Sequence, residues 1–406
     1  MTHEEELDPE TLARRLRAGE SVSILDVRNR DEYETWRVEG RSVTDAQVPH
    51  VKFVAAGATG DPADLLPDDL TDPVVSVCPR GEASTEVAGL LREAGVDAVN
   101  LAGGMTAWAR TYLAAELDAG DATVLQYQRP SSGCLAYLVV SGGEAAVVDP
   151  LRAFADRYVE DADERGATLR YALDTHVHAD HVSGVRAVAE RTDAEVALPD
   201  GAAERGLAFD ARLVGDGEEL QVGDATLAAI HAPGHTSELT AFALRGGRGD
   251  GGGRDGDGGG SGRNGDGDEA APDVLFTGDA LFLRSVGRPD LERGDEAARE
   301  YAVLAHDTLH DRLLALPDDT LVAPGHYADH ADARGDAYAA PLGDLRGMDV
   351  LQLDEDAFVD RVASDLPPRP SNYERIIATN LGRESMDDEA AFEAELGPNN
   401  CAVSAG

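Results

Sequence analysis

Apolar residues over the first 115 positions fall into short runs separated by stretches with helical spacing. Residues 22–27, 73–77 and 96–101 read as strands, and 84–94 places its apolar side chains on one face of a helix. This succession predicts a small parallel α/β sheet, because parallel neighbours need a crossover element between them. Residues 116–122 then read as a connector. From Thr123 the texture changes. Residues 135–140 and 145–149 are apolar strands flanking Gly142-Gly143, the pattern of a hairpin, and short strands and helices alternate as far as 321–324. The Gly/Asp/Arg run at 246–270 lies between the strand patterns at 239–244 and 274–277. Its composition cannot bury surface, so it predicts a disordered insertion within one domain. The chain from 345 has a helical pattern interrupted by Pro367-Pro368-Arg369-Pro370. The expected organisation is a domain over 1–117 and a second over 118–406, whose last part, 345–406, is a helical extension.

Charge narrows the class of protein. The 406 residues include 78 Asp+Glu and 35 Lys+Arg, a formal net charge of −43. No basic face is available for phosphate, which excludes a nucleic-acid binder. Lys52 is the only lysine, and the acidic residues are spread along the chain. That pattern suits a halophilic protein in a salt-rich cytoplasm, where a Debye length of about 3 Å at 1 M salt makes such self-repulsion tolerable. The N-terminus lacks the basic and apolar regions of a signal peptide, and no apolar stretch approaches the roughly 18 residues of a membrane span. A cytoplasmic protein without membrane partners is expected. Cys78, Cys134 and Cys401 form no Cys-x-x-Cys pair, which argues against a disulfide scaffold.

Cys78 opens the loop Cys78-Pro79-Arg80-Gly81-Glu82-Ala83-Ser84, between a strand and a helix. A thiol there faces the helix N-terminus, whose free N–H groups and dipole favour a thiolate or a persulfide. A cysteine phosphatase would close such a loop with Arg; this chain has Ser84. Together with Asp26-Val27-Arg28 and Leu101-Ala102-Gly103-Gly104-Met105-Thr106-Ala107-Trp108, the loop resembles the rhodanese (sulfurtransferase) family over roughly the first 115 residues. The resemblance implies that Cys78 carries sulfane sulfur between a donor and an acceptor. Two positions depart from the family: Thr35-Trp36-Arg37 replaces its usual Gly-His pair, and Ala83 stands where thiosulfate-using members carry a larger basic or polar residue.

The second domain carries a histidine constellation. His176-x-His178-x-Asp180-His181 follows an apolar strand, and His235, Asp279 and His326 each sit in a Gly-containing turn after another. Imidazoles and carboxylates projecting from strand ends toward one cleft are metal-ligand chemistry. His3, His50, His306, His310 and His330 lack such context, His231 reads as a strand neighbour or a partner that supports a ligand, and Cys134 and Cys401 read as packing or incidental residues. From about 123 to 327 the motifs resemble the metallo-β-lactamase superfamily, which implies an αββα sandwich with a metal site at one edge. The whole is therefore expected to be α/β, a rhodanese-like parallel-sheet domain followed by that sandwich.

Within the superfamily, the stretches 171–181 and 276–291 resemble the persulfide dioxygenase branch. That resemblance implies one Fe(2+) per chain held by His176, His235 and Asp279, with His178, Asp180, His181 and His326 around it. It implies a small-molecule thiol persulfide and O2 as substrates, with sulfite or another sulfur acceptor. The alternative is two Zn(2+) per chain and thioester hydrolysis of the hydroxyacylglutathione hydrolase type, using all seven residues. Arg288, in a turn after Gly287, is a candidate to orient a substrate anion. A homodimer is left open.

Overall fold

The computed structural model describes residues 5–246, 272–364 and 366–403. The insertion expected at 246–270 therefore lies, beyond Gly246, outside the described residues. Five strands form the first sheet: β1 (Glu6–Leu7), β2 (Val22–Asp26), β3 (Val43–Gln47), β4 (Val74–Val77) and β5 (Ala98–Leu101). They run parallel in the order β1-β5-β4-β2-β3. Ile24, Val75 and Val77 face one apolar cluster, and Leu25, Val27 and Val74 face another. Burial on both faces is why these strands read as continuous apolar runs.

The connector expected at 116–122 is instead mostly strand. Residues β6 (Leu113–Ala119) and β7 (Ala122–Arg129) pair antiparallel, and β6 alternates strictly between buried and exposed positions. Its buried positions are only Leu and Ala, too weak an apolar signal to separate strand from linker. The second domain's first strand thus begins at Leu113, ahead of the boundary expected at 118.

The second sheet continues with β8 (Cys134–Ser141), β9 (Glu144–Val148), β10 (Thr168–Leu173), β11 (Glu195–Pro199) and β12 (Arg212–Val214), ordered sequentially from β12 to β6. β8 and β9 make the hairpin expected around Gly142-Gly143. The third sheet comprises β13 (Glu219–Val222), β14 (Ala225–His231), β15 (Thr240–Arg245), β16 (Val274–Gly278), β17 (Leu321–Pro324) and β18 (Ala340–Pro341), also in sequential order. Leu135, Tyr137 and Val139 enter a core shared with Leu227, Phe242 and Phe276 of the third sheet. The alternate residues Ala136 and Leu138 pack under Tyr158 and Val188 of the helices Ala155–Glu164 and Val185–Arg191. Helices Ala298–Asp307 and Glu355–Val362 cover the outer face of the third sheet. The result is an αββα sandwich, as period-two burial on two facing sheets requires.

Tail helices Tyr373–Asn380 and Asp388–Ala394 return to the sandwich edge where the histidine loop lies. Among the described residues, no helix is long and apolar enough to cross a membrane.

Candidate metal centre and cysteine loop

Strand ends from both sheets deliver the histidines and carboxylates to one edge. The histidine loop follows β10, His235 follows β14, Asp279 follows β16 and His326 follows β17. The two sheets are tied there by Leu135 N–H donating to Gly325 O (2.8 Å) and by a bridge between Cys134 and His326. Gly325 permits this approach: a Cβ at that position would lie 2.5 Å from Asp279 Oδ1.

His176, His235 and Asp279 converge. His176 Nε2 and His235 Nε2 lie 3.8 and 3.5 Å from Asp279 Oδ2, and all three atoms are buried without a hydrogen-bond partner. Buried polar atoms left unpaired are costly, and a cation at their centre would satisfy all three. Their separations suit ligands about 2.1 Å from one ion.

The opposite ring edges are held in the matching tautomer. His235 Nδ1–H donates to Arg288 O at 2.8 Å. Thr175 donates its hydroxyl proton to Asp149 Oδ2 (2.9 Å), so its oxygen accepts from His176 Nδ1–H (2.9 Å). Each Nε2 is left with a lone pair directed at the centre. Burial, reinforced at His176 by the His178 ring, pushes both imidazoles toward the neutral form that binds metal. Against burial, the His326 imidazole holds the Asp279 carboxyl below its usual range.

The remaining four residues form a second group. His326 Nδ1 meets Asp279 Oδ1 at 2.7 Å and its Nε2 meets Asp180 Oδ2 at 2.8 Å. Asp180 Oδ2 also receives His181 Nδ1 and Cys134 Sγ, each at 3.2 Å. Against burial, Asp279 and Asp180 push His326 toward its protonated form, and Asp180 does the same to His181. Asp180 Oδ1 and His181 Nε2 are buried without a partner. His178 turns away, its Nε2 3.1 Å from Asp149 Oδ1 and 3.8 Å from Asp174 Oδ1. Burial raises the Asp174 carboxyl to about 6.

Several participants carry no local motif. Asp149 ends a strand, at a φ of 51°, and orients both His176 and His178. Asn380, in the tail, donates to the carbonyls of His178 and His181 (3.0 and 2.9 Å). Cys134 and Cys401, expected only to pack, lie against the site carboxylates, Cys401 beside Asp279 and His326. Arg288 corrects the expectation that it orients substrate. Its guanidinium is buried on Asp290 (2.7 and 2.9 Å) and on the carbonyls of Pro368 and Asn400 (both 3.0 Å). Its backbone carbonyl, not its charge, serves the centre.

In the first domain, Cys78 Sγ is buried at the start of the helix Glu82–Glu93 and accepts from Gly81 N–H at 3.1 Å. Ser84 Oγ lies 3.1 Å from Sγ and donates to Asn100 Oδ1 (2.6 Å), a partner the motif did not include. Pro79, Arg80 and Glu82 are exposed on the loop, and Ala83 is half-buried. The helix Gly104–Arg110 clamps it: Met105 and Thr106 N–H donate to the Cys78 and Pro79 carbonyls, both at 2.9 Å. Gly104, at a φ of 59°, allows that contact, since a Cβ would stand 2.2 Å from Cys78 O.

A profile of the rhodanese-like domain matches residues 8–111, and one of the metallo-beta-lactamase superfamily matches residues 130–326. The chain joins a rhodanese-like domain to a metallo-beta-lactamase superfamily domain. The mitochondrial persulfide dioxygenase ETHE1 of Homo sapiens is 28% identical over 186 residues, 45% of this chain and 59% of that protein. The match thus covers less than two thirds of that relative's length. The hydroxyacylglutathione hydrolase of Chromohalobacter salexigens is 31% identical over 198 residues, 49% of this chain and 63% of that protein. A solved metallo-beta-lactamase from Staphylococcus aureus subsp. aureus COL superposes with a TM-score of 0.55 at 26% identity, covering 66% of this chain and 75% of that one. The rhodanese-like domain contributes the Cys78 loop, and the metallo-beta-lactamase domain contributes the histidine edge.

Proposed function

We propose that this is a persulfide-oxidising enzyme whose metal centre converts a low-molecular-weight thiol persulfide to thiol and sulfite. The balanced reaction is RSSH + O2 + H2O → RSH + SO3(2−) + 2 H+, and Cys78 exchanges sulfane sulfur with the same pool. The observation that carries this reading is the convergence of the three unpaired atoms, His176 Nε2, His235 Nε2 and Asp279 Oδ2. Two imidazoles and one carboxylate are the facial triad that suits non-haem Fe(II). Iron bound there would supply open positions for sulfur and dioxygen and the electrons that activate O2.

The chain's own residues do the rest. Burial keeps both imidazoles neutral, and Arg288 O and the Thr175–Asp149 pair keep them aimed. Both nitrogens of His326 are engaged by carboxylates, which supports one metal over two. Gly81 N–H and the helix start stabilise negative charge on Cys78 Sγ, the atom that would hold the transferred sulfur.

A specific observation keeps a second reading in view. Asp180 Oδ1 and His181 Nε2 are unpaired donors that a second cation could use, as in a binuclear zinc thioester hydrolase. Elemental analysis with oxygen uptake separates the two. About one iron per chain, with sulfite released from glutathione persulfide, is expected. About two zinc ions per chain, with hydrolysis of acyl-thiol esters in the absence of oxygen, would overturn the oxidative reading.

A further inference from the structure

Behind the cysteine loop, a chain of polar groups runs through the core of the first sheet. Ser84 Oγ is buried and has one proton for three neighbours: Asn100 Oδ1 at 2.6 Å, Cys78 Sγ at 3.1 Å and Gly81 O at 3.2 Å. Asn100 is also buried, on β5, whose residues Ala98 and Leu101 enter the apolar clusters on the two faces of the sheet. A buried amide needs partners at both ends. Its Nδ2 donates to Glu6 Oε1 at 3.3 Å, on the neighbouring strand β1.

An ionised carboxylate only accepts, so Glu6 fixes which way the amide faces: its nitrogen meets Glu6 and its oxygen meets Ser84. Asn100 Oδ1 and Gly81 O are likewise acceptors only, and the nearer of them, Oδ1, takes the Ser84 proton. Ser84 Oγ then presents lone pairs to Sγ. A thiol can donate into them, whereas a thiolate would face them with no proton between. Gly81 N–H pulls the other way, donating to Sγ at 3.1 Å. Among the described residues, no charged side chain is bonded to Sγ. Those on the elements around the loop are exposed Arg80, Glu82 and Lys52, the Asp26–Arg28 pair, and His50, which is 2.8 Å from Glu86.

We propose that Asn100 is a positioning residue for Cys78. By holding the Ser84 proton it makes the Ser84 oxygen accept from the thiol, so the resting cysteine keeps its own proton. Ser84 can turn its proton onto sulfur only by giving up Asn100, and the amide thereby sets how much of the nucleophile is present. The chemical consequence rests on the reading that Cys78 exchanges sulfane sulfur: Cys78–S− + RS–SH → Cys78–S–SH + RS−. There the new S–S bond forms as the donor's breaks, and the thiol proton has already gone to solvent. The relay of hydrogen bonds is independent of that reading and can be tested without sulfur transfer.

The ultraviolet absorbance of the thiolate is followed against pH in the full chain, with the Cys78→Ser chain as blank, at about 2 M KCl to screen exposed charges. Asn100→Leu keeps the shape and removes the acceptor, which frees the Ser84 proton for sulfur. The midpoint should fall by about one pH unit. Glu6→Leu changes an exposed side chain and leaves the core intact. It frees the amide to turn round, and the midpoint should fall by about half a unit. In a Ser84→Ala background both shifts should shrink below about 0.2 unit, which a general effect of structure or charge would not do. At a pH below both midpoints, Asn100→Leu should take up sulfur from glutathione persulfide about threefold faster than the native chain, read as added sulfur mass on Cys78. About tenfold more thiolate, each about threefold less nucleophilic, gives that factor. A midpoint that holds or rises in Asn100→Leu or Glu6→Leu, or that falls equally without Ser84, would overturn the relay. A chain whose midpoint moves as expected yet gains no sulfur at Cys78 defeats the sulfur-exchange reading alone.

Discussion

Thr175 lets Asp149 set the tautomer of His176: because its hydroxyl donates to the carboxylate, its oxygen must accept from the ring. Thr175→Val removes that acceptor while keeping the shape. Metal affinity should fall about 10- to 100-fold, measured by competition with a chelator. Unchanged affinity would show that the ring is oriented by packing alone. His330 offers a pH test away from the triad. Burial pushes its imidazole down to about 4 from the ordinary 6.5. Between these values the unfolded chain takes up a proton that the folded chain refuses, so stability falls as pH drops through that window. The loss attributable to this one group reaches roughly 3 kcal/mol by pH 4. His330→Phe should therefore lose less stability than the native chain on acidification from pH 7 to 4, followed by urea unfolding. Parallel profiles would remove His330 from the account.

At the scale of elements, the tail matters more than its position suggests. Glu395, just beyond the helix Asp388–Ala394, pairs with Arg129 at 2.9 Å, both side chains buried. Its other oxygen accepts from Val182 N–H at 3.1 Å, next to His181. Arg129 Nε also donates to Ala109 O (3.1 Å), at the end of the first domain's last helix. One ion pair thus joins the tail, the histidine loop and the rhodanese-like domain. Glu395→Ala strands a buried guanidinium and should cost roughly 3 to 5 kcal/mol in urea unfolding. A loss below about 1 kcal/mol would mean that water or a neighbouring carboxylate reaches Arg129.

For the whole molecule, a net charge of −43 is the dominant long-range term. Repulsion among exposed carboxylates weakens as salt shortens the Debye length, to about 3 Å at 1 M. The melting midpoint should rise steadily as KCl is raised from about 0.1 to 2 M. A midpoint that stays level or falls would show that the surface acids are already compensated by their many Arg partners.

The sequence by itself determined what depends on neighbours along the chain. Period-two and helical spacing specify the sheets and their covering helices, and strand-end turns such as Gly278-Asp279 and Gly325-His326 announce side chains that project from a sheet edge. It underrated β6, because alternating Ala and Leu give too little contrast. Only the tertiary structure decided which projecting groups share an ion-sized space and which are consumed by one another. It set His176, His235 and Asp279 apart from the His326–Asp180 pair, brought in Asp149, Cys134 and Asn380, and turned the Arg288 guanidinium away. Those outcomes rest on distances between residues far apart in the chain. Such distances follow from how two sheets, a second domain and a returning tail pack together, which no local pattern encodes.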